Sequence, residues 1–270
     1  MPVINPHPVY FREAVHSALS QSLANFELLV VEDPSTTEAA PVLGAFTDSR
    51  VRHIRNSKRT GLVRQLNQGL LECRAELVAR MDADDVAEPE RLRLQVELLT
   101  RCPDIAVVGS QLQIIDEAGQ SRGYRAYPLR HDEILAAFPR YNPLAHPSVM
   151  FRRTVVVAAG GYVTDLHNED YDLWSRLAID GHRFANLPDA LLRYRVHSGA
   201  VKSTRLRTMI RGTLEVKERY WLGRMGTGDR LRLWGERCLL ALPPRLVMAL
   251  FKRTAYRTRL NVPAATTESP

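Results

Sequence analysis

The 270-residue chain has only three cysteines, Cys73, Cys102 and Cys238, and no CxxC pair. That excludes a disulfide framework and a thiolate metal ribbon; it fits a reducing compartment, so a cytoplasmic location is expected. Long apolar runs are also lacking. The most apolar late stretch, CLLALPPRLVMALF over 238–251, is broken by Pro243, Pro244 and Arg245 and is too short to span a bilayer. There is no internal repeat, and no low-complexity tract apart from the polar ATTESP end. Aromatic residues make up 7% and are not interleaved with the basic ones as a base-stacking platform requires, so nucleic acid is not an expected partner.

What is present is an ordinary globular composition, 45% hydrophobic and 25% charged, in a chain long enough for one large α/β domain with an appendage. The net charge of +7 is uneven. Between Lys202 and Leu260 there are fifteen Lys or Arg against Glu215, Glu218, Asp229 and Glu236, so the basic character belongs to the tail. A tail of this kind suits an anionic membrane face, and peripheral contact there is one expectation. Leu206, Ile210 and Leu214 form a helical stripe in the same region, which equally suits docking on the rest of the protein.

Apolar runs and helical stripes alternate along residues 1–202. FELLVVED (26–33) and ELVARM (76–81) have the continuous apolar pattern of parallel strands buried on both faces. Helices are expected over Pro8–Leu23, Thr60–Ala75 and Pro89–Arg101, and over EDYDLWSRLAID up to Gly181. IAVVGSQLQIID reads as a long strand interrupted at Gly109, HPSVMFRR and LLRYRVH as further strands, and 116–145 as a loop-rich region. Strands alternating with helices predict a doubly wound, mostly parallel sheet over 1–202, followed by a basic helical region over 203–270.

Within this frame RMDADD (80–85) crowds Asp82, Asp84 and Asp85 at a strand end, and something must offset their repulsion. Asp-x-Asp at such a place can present two hard oxygen ligands to Mg²⁺ or Mn²⁺, with a diphosphate completing the shell. The spacing alone does not separate this from a solvated acidic turn capping the next helix. Asn168, Glu169 and Asp170 pose the same choice between a carboxylate base and plain helix capping.

The order VVED, GLVRQLNQGL, RMDADD, HPSVMFRR, GGYVTDLHNEDYDLWSRLAIDG and LLRYRVHSGAVKS, spread over about residues 1–203, resembles the family 2 glycosyltransferases with their GT-A fold. The resemblance implies inverting transfer of a sugar from a nucleotide diphosphate sugar, usually of UDP, to an acceptor hydroxyl of a glycan or lipid-linked glycan in cell-surface polysaccharide synthesis. By position in these motifs it implies nucleotide contacts for Glu32, Asp33, Arg64 and Asp82, a metal ligand in Asp84, and a catalytic base in Asp170 with Glu169 beside it. His197, in YRVHSG, falls where the family often places a histidine near diphosphate or metal. His146 is expected to shape the acceptor-side loop, and Trp174 to pack in the core.

Two departures stand out. The family's paired-acid turn usually continues with Gly, whereas here it reads EDPS, and Pro34 fixes φ where Gly would be free. The family's first buried strand has no counterpart ahead of MPVINPHP; that strand is expected to be missing from this chain and to lie upstream of Met1 in a longer protein. Two rival functions stay open at this point: a non-catalytic sugar-nucleotide binder, and a metal-dependent nucleotidyltransferase, although the Gly-rich phosphate loop of the latter is absent.

Overall fold

A computed structural model describes residues 1–163, 168–196 and 203–242. The chain opens with a two-residue strand β1 (Pro2–Val3), helix α1 (Pro8–Leu19) with its proline in the first turn, and strand β2 (Leu28–Glu32), buried along its whole length. A short α2 (Ala40–Leu43), β3 (Val51–Arg55), α3 (Leu62–Glu72) and β4 (Leu77–Ala79) follow, then β5 (Val86–Ala87) and α4 (Arg91–Arg101). The second half comprises β6 (Ile105–Ile115), β7 (Ser121–Arg125), α5 (His131–Ala137), β8 (Met150–Arg152), α6 (Arg153–Ala158), α7 (Glu169–Ile179) and β9 (Arg183–Arg195). Helices α8 (Ser203–Val216) and α9 (Thr227–Leu239) complete it.

The strands form two sheets. β1, β2 and β3 are parallel neighbours in one. The other has the order β4-β8-β6-β9-β5 with β7 on the far half of β6; within it β6 and β9 run parallel and the other pairs antiparallel. Where the first strand is expected to be missing, the two-residue β1 pairs Pro2 with Val31 and Val3 with Glu32. Among the described residues the two sheets are not joined by strand pairing.

Gly109 does not interrupt β6. The strand runs through it, and glycine is required because a Cβ there would stand 2.1 Å from Asn186 Oδ1 on β9. The turn after α7 uses Gly181 at φ 83°, as a left-handed stop. HPSVMFRR is only partly strand: His146–Ser148 is a 3₁₀ turn and pairing starts at Met150. The region expected to be loop-rich holds β7 and α5, the latter with Ile134 and Phe138 buried at its core face.

The main core gathers around Trp174, which is fully buried on α7 against Phe151 and His146. Helix α8 and the residues after it seal this core from outside, through Leu214, Val216, Trp221 and Met225. Phe138 and Trp221 stack at 5.0 Å, and Trp221 Nε1 donates to Ser175 Oγ at 2.9 Å. Asn168 donates to Thr213 Oγ1 at 2.8 Å. Its side chain thus ties α7 to α8 and does not cap α7. Among the described residues, no helix is long and apolar enough to cross a membrane.

Candidate active site

RMDADD forms the loop between β4 and β5. Asp82, Asp84 and Asp85 each bring a carboxylate oxygen within 4.8 Å of the other two. At such separations like charges repel by about 1 kcal/mol per pair even in bulk water, and by more in a partly buried site, so the surroundings must compensate. Arg80 Nη1 donates to Asp82 at 2.6 Å. Arg80 is itself buried, and its carbonyl is held by Arg91 Nη2 at 2.6 Å from the start of α4. Burial lowers the Arg91 pKa only to about 10, so this anchor stays charged at neutral pH.

From the other side Arg195, at the end of β9, knits the loop together. Its amide donates to Asp85 Oδ1 at 2.9 Å and its Nε to the Asp84 carbonyl at 2.9 Å. Its guanidinium lies over Tyr10 and reaches Glu13. Asp85 is fully buried, and its Oδ2 has no hydrogen-bond partner among the described residues. Burial first, then the charges of Asp82 and Asp84, push its pKa well above the usual carboxylate range. An orphaned carboxylate oxygen beside two other carboxylates is an all-oxygen donor set, and these residues fit a hard divalent cation such as Mg²⁺ or Mn²⁺.

A second cluster joins the start of α7 to the 3₁₀ turn: His146, Glu169 and Asp170 also lie with ligand atoms within 4.8 Å. His146 Nδ1 is 3.5 Å from Glu169 Oε1, and its Nε2 is 3.0 Å from the Tyr162 hydroxyl. Burial, with Arg80 second, depresses the His146 pKa to about 3. The ring is therefore neutral at pH 7, and its contact with Glu169 is a polar contact between a neutral ring and a carboxylate. Asn142 Nδ2 donates to Asp170 Oδ2 at 2.8 Å. Burial raises the Asp170 pKa, against the opposing influence of His146.

Arg80 binds the two clusters into one electrostatic neighbourhood. Its charge acts on Asp82, Tyr162 and Glu169, and His146 feels both Asp82 and Asp170. Asp82 thus shares an electrostatic neighbourhood with Glu169 and Asp170, and Asp84 lies beside Asp82 in the same loop.

The two acids after β2 are engaged by the protein. Glu32, fully buried, accepts the Ala39 amide at 2.7 Å and faces His53 Nε2 at 2.7 Å. Asp33 accepts from Asn56 Nδ2, from the Thr60 hydroxyl and amide, and from the Gly61 amide, all at 2.7–2.9 Å. Burial alone would raise its pKa, but these donors prevail and hold it below the usual carboxylate value. Arg64 is exposed on the first turn of α3. His197 lies outside the described residues.

Sequence reasoning missed Arg80, Asn142, Tyr162 and Arg195. Arg80 had a signal: at the end of the expected strand ELVARM it stands two residues before Asp82, the spacing that in extended backbone puts two side chains on one face. Asn142 and Tyr162 sit in irregular segments, where no periodicity marks them.

Residues 1–158 match the Glycosyl transferase family 2 domain. The chain is 32% identical over 200 residues to the amylovoran biosynthesis glycosyltransferase AmsE of Erwinia amylovora, covering 73% of this chain and 75% of that one. It is 32% identical over 208 residues to the O-antigen biosynthesis glycosyltransferase WbnJ of Escherichia coli, covering 75% and 81%. A more distant relative, 26% identical over 204 residues and covering 74% and 73%, is the E. coli UDP-Gal:alpha-D-GlcNAc-diphosphoundecaprenol beta-1,3-galactosyltransferase. Among solved structures, S. aureus TarS superposes with a TM-score of 0.60 at 17% identity, over 80% of this chain and 63% of TarS. The mannosyltransferase PcManGT of Pyrobaculum calidifontis gives 0.59 at 17%, over 97% and 75%. The fold is therefore GT-A, and the chain belongs to glycosyl transferase family 2 and is a glycosyltransferase.

Proposed function

We propose that the chain is an inverting transferase that moves a sugar from a UDP-sugar to a hydroxyl of a cell-surface polysaccharide or lipid-linked glycan precursor. The observation that carries this reading is the pairing, around Arg80, of a three-carboxylate loop with a half-buried carboxylate, Asp170, on the start of α7. The names of the relatives, from O-antigen and amylovoran synthesis to a UDP-galactose transferase acting on a diphosphoundecaprenol acceptor, support the donor and acceptor classes.

In this reading Asp170 takes the proton from the acceptor hydroxyl as that oxygen bonds to the anomeric carbon. The bond from carbon to diphosphate breaks on the opposite face, and UDP leaves with the electron pair. A raised pKa makes Asp170 a stronger base than an exposed carboxylate, and Asn142 orients it. His146, neutral, holds Glu169 and Tyr162 in place beside it. Asp84, with Asp82 and Asp85 close by, would hold a Mg²⁺ or Mn²⁺ ion; when bound, that cation neutralises charge on the departing diphosphate. Arg64, Asp82 and His197 are assigned to the nucleotide, as are Glu32 and Asp33 through the loop they brace.

Residues 1–202 form the catalytic unit in this assignment, and the basic region after 203 meets an anionic membrane from the cytoplasmic side. Leu231 and Trp234 on α9, 69% and 64% exposed, supply the apolar contact, with Arg230 and Arg232 on the same helix. Co-sedimentation with anionic liposomes that ignored salt would remove this part. The test of the whole is a donor screen across nucleotide sugars, reading nucleotide release with metal present. Turnover lost in Asp84→Ala and Asp170→Asn supports the transferase, whereas tight UDP binding with no turnover on any donor favours a sugar-nucleotide binder.

A further inference from the structure

Beside Asp170 stand two tyrosines that the reaction leaves unused. Tyr127 follows β7 and Tyr141 follows α5, and Asn186 of β9 fastens their two segments together. Its Nδ2 donates to the Pro128 carbonyl at 2.7 Å and to the Pro143 carbonyl at 3.1 Å. Asn142, next to Tyr141, is the residue that reaches Asp170. Buried Gln111 pins Tyr127 at both backbone ends: its Oε1 accepts the Tyr127 amide at 2.5 Å, and its Nε2 donates to the Tyr127 carbonyl at 3.3 Å. The Tyr127 ring packs on the cluster of Leu112, Ala145 and Leu192. The Tyr141 amide is tied to the Ala137 carbonyl at 3.1 Å, and the residue is 43% exposed.

Charge and hydrogen bonding describe what suits this surface. Burial, helped by Asp170 and Tyr141 and opposed by Arg125, raises the Tyr127 pKa, so its hydroxyl remains a neutral donor at pH 7. Among the described residues Tyr127 is hydrogen-bonded through its backbone alone. Held rings that carry an O–H at the edge suit a sugar, whose C–H face packs on the ring while its hydroxyls meet the phenol. Arg125 lies over Tyr127, its Cζ 5.7 Å from the ring centroid. It differs from the other arginines of this stretch. Arg122 pairs with Asp116, Arg130 with Asp132 and Glu133, and Arg140 with Asp229. Exposed Arg125 has no carboxylate partner among the described residues. A guanidinium without an acid, beside a sugar-binding surface, suits an anion that the sugar itself carries.

We propose that Tyr127 and Tyr141 bind the acceptor sugar and that Arg125 selects an accepting ring bearing an anion, either a phosphate ester or a uronate carboxylate. This rests on the transferase reading with Asp170 as base and adds to it the charge of the acceptor. One hydroxyl of the sugar meets Asp170 and its anionic substituent meets Arg125, since both groups are neighbours of Tyr127.

The test is equilibrium binding read by ligand-observed NMR, with UDP and Mn²⁺ in excess to occupy the donor side. The probes are the neutral methyl glycoside, the 1-phosphate and the methyl uronide of each ring in the glucose, galactose and N-acetylglucosamine series. In at least one series an anionic sugar should bind about fivefold or more tightly than its neutral counterpart. Arg125→Gln should bring that ratio close to one, and Arg125→Lys should keep part of it. Tyr141→Ala should weaken charged and neutral sugars alike, by about three- to tenfold, and leave the ratio standing. Arg125 and Tyr141 are both exposed, so neither change endangers the fold. A preference for the 1-phosphate supports the proposal and identifies a sugar phosphate or diphosphate; a preference for the uronide supports it and identifies an acidic glycan. Equal binding of charged and neutral sugars in every series overturns the proposal, as does a preference that survives Arg125→Gln. An Arg125-dependent preference in a protein that releases nucleotide from no donor would keep the subsite and remove the transferase, whereas turnover without any preference would keep the transferase and remove the subsite.

Discussion

The loop 82–85 and the cluster of His146, Glu169 and Asp170 each gather three ligand-type side chains within 4.8 Å, yet their surroundings prepare them for different work. The loop gathers three carboxylates, one of them buried with an oxygen unpartnered among the described residues and another paired to Arg80. What it suits is a positive charge. The second cluster contains a ring held neutral by burial and one carboxylate already held by Asn142. What it offers is a site for one proton. Counting ligand atoms does not distinguish them; charge balance and burial do.

The largest expected effect tests that division. Asp170→Asn keeps the shape and the neighbour Asn142 but removes the base, so turnover in a nucleotide-release assay should fall about 10²–10⁴-fold. Nucleotide affinity by equilibrium titration should stay within a few-fold of the parent, and a comparable loss of affinity would break the distinction between the clusters. Asp84→Ala acts on the other side. Its turnover should fall about 10²–10³-fold, with a parallel loss of stimulation by added Mn²⁺ or Mg²⁺. A variant still fully stimulated by metal would move the ligand role to Asp82 or Asp85.

Much of this arrangement was legible in the residues because it depends on local pattern. The continuous apolar run of β2, the stripe of α3 and the acid-rich start of α7 each declare their element and their polar end. Three things were not legible. β7 and α5 lie in a stretch whose weak periodicity gives no signal. Gly109 looks like a strand breaker, since only the fold reveals Asn186 pressing on it. The inward engagement of Glu32 depends on His53 and Ala39, twenty-one and seven residues away, which no local rule connects to a turn acid. Position in a motif locates a carboxylate but not the groups that will surround it.

Asp33 sharpens the contrast from the side of stability. It is an acid held by four donors, where Asp170 is an acid held by one side-chain donor and lifted by burial. Asp33→Asn has one acceptor oxygen in place of two, so it cannot serve both the Thr60 and Gly61 amides, which share Oδ2, and the Asn56 amide and Thr60 hydroxyl, which share Oδ1; it should cost about 1–3 kcal/mol in a denaturant melt at pH 7. Because the folded pKa is lowered, this contribution is present above the unfolded value near ~4 and is lost as pH falls through the folded one. The gap between parent and variant should therefore close in strong acid. A gap constant with pH would show that shape, not charge, is what Asp33 provides.

The smallest effect is a shift in a pH profile. A base works deprotonated, and burial raises the Asp170 pKa, so the acid limb of kcat/KM should fall at higher pH than an ordinary carboxylate near ~4 would give. Asn142 donates to the carboxylate at 2.8 Å and thereby favours its charged form. Asn142→Ala removes that donor, and the acid limb should move further upward. The plateau at high pH should change much less than in Asp170→Asn, because the base remains. Glu169 provides the internal control: it faces neutral His146, and were it the titrating base, loss of the Asn142 donor would leave the limb where it was. An unmoved limb in Asn142→Ala, together with a moved limb in Glu169→Gln, would transfer the proton-accepting role from Asp170 to Glu169.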